Sequence, residues 1–210
     1  KFAGTFDGNQ QTLKLHYDMI TSGKPYFGFI KYVDKAGTVK DLKLDYDKLS
    51  TMSSQHLGGV VDTNAGTISG CTVTVQEFYT NQDYAGGICA ANNGGGIVGS
   101  NTGKVLNCAM NGEIVKAGKN SGGIVGYHNG SSAEVIGCVN NANITATYTS
   151  SECDAGGIVG YARSLSKITN CVNKGKISST KGYIGGVVGY LAGSVTNCGN
   201  EGAVTGGATN

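Results

Sequence analysis

The chain repeats itself, and that repetition limits what it can fold into more than any composition does. The segment 155–177 reads AGGIVGYARSLSKITNCVNKGKI. It holds a Gly-Gly pair, the run Ile158-Val159-Gly160-Tyr161, then Ile168-Thr169-Asn170-Cys171, and last Asn173, Gly175 and Ile177. The same order of residue types returns over 122–144 and 185–204, and its second half over 107–114. Cys71, Cys108, Cys138, Cys171 and Cys198 mark the period, spaced by 37, 30, 33 and 27 residues. Each follows the second glycine of a pair (Gly59, Gly96, Gly123, Gly157, Gly186) by 12 to 15 residues. Six residues after cysteine stands Ile114, Ile144, Ile177 or Val204. Two residues before that comes Gly112, Gly175 or Gly202, with Ala142 as the exception.

Three short apolar segments per unit, set apart by Gly or Asn turns, fit one coil of a parallel β-solenoid. One unit alone buries too little, so neighbours must stack. Glycine is plentiful (36 of 210 residues) but proline occurs once, at Pro25, so the excess reflects tight turns rather than a collagen or linker sequence. With 14% charged residues and Val and Ile prominent, the expectation is all-β: a right-handed parallel β-helix of about seven coils, three short strands in each. Residues 1–210 are read as a single solenoid domain, with 1–56 as diverged N-terminal coils and 57–210 carrying the repeats. Two Gly-Gly motifs only nine residues apart, AGGICA and GGIVG within 85–99, imply that one is looped out, and Cys89 aligns with Val125, Val159 and Val188.

The cysteine row and the Ile114, Ile144, Ile177, Val204 row are both expected to face inward. Ile168 and Cys171 stand at odd separation, which on a flat strand sends them to opposite faces. A backbone bend at the intervening Asn or Gly, residues that tolerate left-handed dihedrals, reconciles the two.

FAGTFDGNQQTL at 2–13 resembles the opening of bacterial surface proteins of the GLUG-motif type, and GGIVGYHNG, GGIVGYARS and GGVVGYLAG resemble the GLUG motif itself. The resemblance covers nearly the whole chain, with 45–56 poorly matched. It implies right-handed β-helix segments of large secreted or cell-wall proteins, some adhesin-like, and similar repeats in non-catalytic parts of immunoglobulin A-specific metallopeptidases. It implies no shared catalytic set.

The residues themselves offer little chemistry. Gly94–Gly99 matches G-x-G-x-x-G, but a turn follows where a dinucleotide site needs a helix, so no cofactor is expected. The seven cysteines are never closer than fifteen residues, and no C-x-x-C or H-E-x-x-H occurs, so no metal is expected. The cysteine row reads as buried thiols, with disulfides within the row as the alternative, and Cys153 as the most exposed thiol. Acids in the repeats are few and do not align, and Glu152 and Asp154 share a loop as solvated charges. Asp41, Asp45 and Asp47 alternate with Lys40, Lys43 and Lys48 as a mixed-charge surface. No catalytic residue is assigned. The net charge of +2 and scattered lysines give no reason to expect nucleic acid, and no apolar run is long enough for membrane insertion.

One row could recognise something. Tyr127, Tyr161 and Tyr190 each follow the last glycine of a GG-[IV]-V-G motif and should stack over three coils, with Asn129 and Arg163 nearby for sugar hydroxyls. These five are the candidate ligand contacts, set against simple mutual stacking. The expected function is a non-catalytic extracellular stalk or scaffold, part of a longer, adhesin-like bacterial surface protein, with a host glycan or protein as partner. The alternatives are a glycan-binding module or a β-helix carbohydrate-active enzyme.

Overall fold

The computed structural model describes residues 1–19, 26–51, 56–80, 89–90, 94–95, 98–115, 119–147 and 153–206. Among them there is no helix; the chain is an all-β parallel β-solenoid of about five turns.

Three sheets run the length of the stack. A tyrosine face holds Ile30–Val33, Val61–Asn64, Val98–Asn101, Val125–His128, Val159–Ala162 and Val188–Leu191. A middle face holds Thr5–Asp7, Thr38–Lys40, Thr67–Ser69, Lys104–Leu106, Glu134–Ile136, Lys167–Thr169 and Ser194–Thr196. An asparagine face starts with the long strands Thr12–Met19, Lys43–Thr51, Thr72–Thr80 and Ala109–Val115. In later coils that face splits into a two-residue strand and a second strand, as in Val139–Asn140 and Asn143–Ala146. The split follows from the asparagine turn, which interrupts what is one continuous strand in the N-terminal coils. The first of the diverged N-terminal coils places Phe2, Phe6, Leu15 and Tyr17 half-buried against the core.

Register follows the repeat. Val105 pairs with Val135, Val135 with Ile168, and Ile168 with Val195. Ile114, Ile144, Ile177 and Val204 form a second unbroken row. These rows and the cysteines make the core: Ile168 and Cys171 are both fully buried despite their odd separation. The bend between them is left-handed backbone at one corner of successive coils: Asp41 (φ 52°), Gly70 (60°), Asn107 (52°), Gly137 (66°), Asn170 (55°) and Asn197 (51°). A single left-handed residue turns the chain and resets side-chain parity, so the residues before and after it both point inward.

The corner also explains the thiols. Cys138 and Cys171 each give their backbone N–H to the sulfur of the cysteine one coil on, Cys171 (3.4 Å) and Cys198 (3.3 Å). The sulfurs in turn reach the carbonyl two residues back, Ile136 (3.5 Å) and Thr169 (3.3 Å). A small apolar side chain with a weak donor and acceptor thus fills the core and satisfies a corner amide. Cys71, Cys108, Cys138, Cys171 and Cys198 are free thiols, and burial pushes that of Cys108 well above its ordinary value.

Three expectations are corrected. Cys153 is fully buried, its sulfur 3.8 Å from the Ser179 hydroxyl, and Cys198 is the more accessible thiol. Asp154 is not a solvated loop charge: it lies in the strand Asp154–Gly156, in register with Asn120 and only 5% exposed. Glu152 lies outside the described residues. Cys89 does not take the place of Val125: it pairs with Gly95, while Val98 stands in register with Val61 and Val125, and the Gly86-Gly87 pair lies outside the described residues.

Candidate functional site

The tyrosine row forms as the spacing predicts. Tyr127 is in register with Tyr161 and Tyr161 with Tyr190, because each follows the same Val-Gly step. The rings of Tyr161 and Tyr190 lie 4.6 Å apart and 7° from parallel; those of Tyr127 and Tyr161 lie 5.6 Å apart at 25°. All three side chains are half-buried, and Tyr183, 62% exposed, meets Tyr190 edge-on at 5.5 Å. Desolvation and the neighbouring Tyr190 raise the Tyr161 phenol above its ordinary value, so it stays neutral in the physiological range. Stacked faces occupy one another, which leaves ring edges and hydroxyls for solvent. Below Tyr127 the row continues as Ser100, Thr63 and Tyr32, so the aromatic stack is confined to the last three coils.

Asn129 and Arg163 flank the row from successive coils. Their backbone amides bond to Asn101 (3.0 Å) and His128 (2.9 Å) one coil below, with Asn129 half-buried and Arg163 exposed.

Behind the tyrosines lies a feature that the sequence reading missed. Asn64, Asn101 and His128 occupy the inward row next to them and are fully buried. Asn64 Nδ2 donates to Asn101 Oδ1 (3.0 Å), and Asn101 Nδ2 donates to His128 Nδ1 (3.2 Å). His128 must therefore carry its proton on Nε2, which donates to the Lys167 carbonyl (3.1 Å). Burial pulls this imidazole down to about 4, keeping it neutral. A second ladder runs through the asparagine face. Asn140 Nδ2 donates to Asn173 Oδ1 and Asn173 Nδ2 to Asn200 Oδ1, both at 2.7 Å. Each Nδ2 also reaches the carbonyl two residues on, of Ala142, Gly175 or Gly202. The signal was in the sequence: Asn140, Asn173 and Asn200 all stand two residues after a repeat cysteine.

The charged residues pair from coil to coil. Lys40 meets Asp7 (2.7 Å), Lys104 meets Glu134 (2.9 Å), Lys48 meets Glu77 (3.5 Å) and His16 meets Asp47 (3.0 Å). The glycine-rich stretch expected to fail as a dinucleotide site runs into the strand Val98–Asn101.

Residues 181–205 match the GLUG motif family. No curated protein matches the chain. A solved structure named IgA1 Protease is similar over 92% of this chain, with a TM-score of 0.63 and 21% identity. The chain spans only 17% of that structure's length, and at this identity the likeness is one of fold.

Proposed function

From a β-helix repeat protein carrying a GLUG motif, we propose a non-catalytic extracellular module that serves as stalk or scaffold in a longer, adhesin-like bacterial surface protein. One observation carries the reading: the aromatic side chains best placed to recognise a ligand are spent on one another. Tyr161 is sandwiched between Tyr127 and Tyr190, so the row stiffens the stack instead of offering ring faces to a sugar. The carboxylates give the same picture. A glycosidase needs a pair of carboxyl groups facing one substrate, whereas Glu134 and Asp7 lie against lysines of the adjoining coil. In this reading residues 1–210 form one solenoid, wound right-handed as parallel crossovers are, and require no metal or cofactor. A host glycan or protein is the partner class, met by the exposed sides of the parent molecule and not by an enclosed site.

Tyr161→Ala separates stalk from glycan track. It removes two stacked pairs, each about 0.5–1.5 kcal/mol beyond area burial, so the urea midpoint should fall by an equivalent of roughly 1–3 kcal/mol. The parent protein should show no retention on a glycan array. Retention by the parent that is lost in the variant, with unfolding unchanged, would establish the glycan-binding alternative.

A further inference from the structure

The turns that join the tyrosine face to the middle face differ in length from coil to coil, and the difference cuts a trough into that corner. Between Asn64 and Thr67, and between Asn101 and Lys104, the turn has two residues. In the coil below these it has four, 34–37, and in the coil above it has five, 129–133. Glycine lets the short turns sit close: a Cβ on Gly103 would lie 2.2 Å from the Gly66 carbonyl, and one on Gly66 equally near the Gly37 carbonyl. The longer turns stand out as two lips, one carrying Lys35 and the other Ser131 and Ser132, all three exposed. The open recess between them has a volume of about 470 Å³. Two recessed coils give a clearance of about 10 Å, the space that an extended chain takes up with its side chains.

The lining is cationic and rich in hydroxyls. Its charged side chains are Lys35 and Lys104, joined by Thr67, Thr102, Ser131 and Ser132. The Lys35 ammonium and the hydroxyls of Thr67, Ser131 and Ser132 have no partner among the described residues. Two carboxylates stand near the trough without lining it. Asp34 Oδ1 accepts the Lys35 amide (2.8 Å) within its own turn. Glu134 lies 2.9 Å from Lys104 and in register with Lys167 on its other side, so one carboxylate serves two lysines and this corner keeps a net positive charge. The lining contains no aromatic ring, so a sugar has no face to stack on.

We infer that this trough takes an extended acidic segment of a protein partner, whose carboxylates accept hydrogen bonds from Lys35 at one lip, from Ser131 and Ser132 at the other, and from Lys104 between them. Charge-assisted bonds of this kind are the strong ones, and recognition of acidic segments by clustered cations is a recurring mode. The inference rests on the scaffold reading and narrows its partner class to a protein. The two fail separately, because the effect of Tyr161→Ala on unfolding does not depend on this corner.

The test titrates the full chain into fluorescein-labelled hexaglutamate and follows fluorescence anisotropy at low ionic strength, where exposed charges are least screened. Binding should saturate. Lys35→Glu should weaken it roughly tenfold without moving the urea midpoint, since that ammonium holds nothing else in the fold. Glu134→Gln, which releases Lys104, should strengthen it about threefold. Lys174→Glu makes the same charge change away from the trough, at a lysine that faces Glu201, and should leave binding unchanged. Absence of saturable binding, or equal losses from Lys35→Glu and Lys174→Glu, overturns the inference. So does displacement of the peptide by inorganic phosphate at matched concentration, which would mark a site for single anions. Retention of the parent on acidic members of a glycan array, with hexaglutamate unbound, overturns it in favour of a sugar.

Discussion

Gly157 leaves room for Asn173: a Cβ at position 157 would lie 2.2 Å from Asn173 Cγ and equally close to the Gly186 carbonyl. Gly123 stands in the same relation to Asn140, at 2.3 Å, and Gly186 to Asn200, at 2.2 Å. The second glycine of each pair and the asparagine of each N-x-G or N-x-A turn are thus two halves of one device. The glycine vacates a side-chain volume on one wall of the coil, and the asparagine from the opposite wall fills it. There its amide bonds to the next coil and to its own turn. This fixes why the repeat needs Gly-Gly at a point where a strand would otherwise favour a β-branched residue.

Gly157→Ala should be costly because neither the Asn173 side chain nor the Gly186 backbone can yield without breaking the ladder. Overpacking of this kind costs about 1–3 kcal/mol, and the urea midpoint should fall accordingly. The double variant Gly157→Ala, Asn173→Ala should be less destabilised than the sum of the two single variants, since each substitution removes the other's partner. Strict additivity in that cycle would show that the glycine serves the backbone and not the asparagine.

At the left-handed corner the prediction has opposite signs for two substitutions. Asn170 holds φ 55°, a conformation that costs L-residues roughly 1–2 kcal/mol when the side chain is bulky. Asn170→Val should destabilise by about that amount, while Asn170→Gly should fold with stability within about 0.5 kcal/mol of the parent. Thermal unfolding of the pair decides it. A tolerated valine would mean that the corner is not under conformational constraint.

Much of this architecture was legible because it is written in period. The cysteine and isoleucine rows, the corner bend between Ile168 and Cys171, and the stacking of Tyr127, Tyr161 and Tyr190 all follow from spacing alone. What spacing could not give were contacts made across the coil. Cys153 falls outside the repeat, and its burial depends on Ser179 and on Gly182, where a Cβ would strike the Cys153 carbonyl. Whether the tyrosines offered faces or edges depended on ring planes, which a sequence does not encode. His128 looked unrelated to anything because its partners, Asn101 and Lys167, lie 27 and 39 residues away.

The thiols make a graded prediction. Cys138, Cys153 and Cys171 are fully buried, so in the folded protein they should label only through unfolding, and Cys198 should label fastest of the thiols with described side chains. Cys171→Ser places a hydroxyl beside the Thr169 carbonyl that the sulfur already faces at 3.3 Å, and it can still accept the Cys138 amide. It should cost about 1 kcal/mol. Cys171→Ala leaves that amide without an acceptor as well as a void, and should cost roughly 2–3 kcal/mol. A serine variant less stable than the alanine variant would show that the sulfur is there for packing alone.

The last prediction concerns acid. His128 is neutral in the fold, with its pKa pulled down to about 4 chiefly by burial, against an unfolded value near 6.5. Between those values the unfolded chain binds a proton that the folded chain does not, so stability rises with pH across that window. The contribution is complete above about pH 6.5, is lost as pH falls toward 4, and amounts to at most roughly 3 kcal/mol. Geometry gives the same sign, since a proton on Nδ1 would point at the Asn101 amide nitrogen, itself a donor. Asn101 cannot simply turn over, because its Oδ1 already accepts from Asn64 and from the Gly103 amide. Urea midpoints measured from pH 7 to 4 should therefore fall more steeply for the parent than for His128→Gln, which keeps a polar side chain but does not titrate. Parallel slopes for the two proteins would mean that the histidine is solvated in solution and that the ladder behind the tyrosines is open at that point.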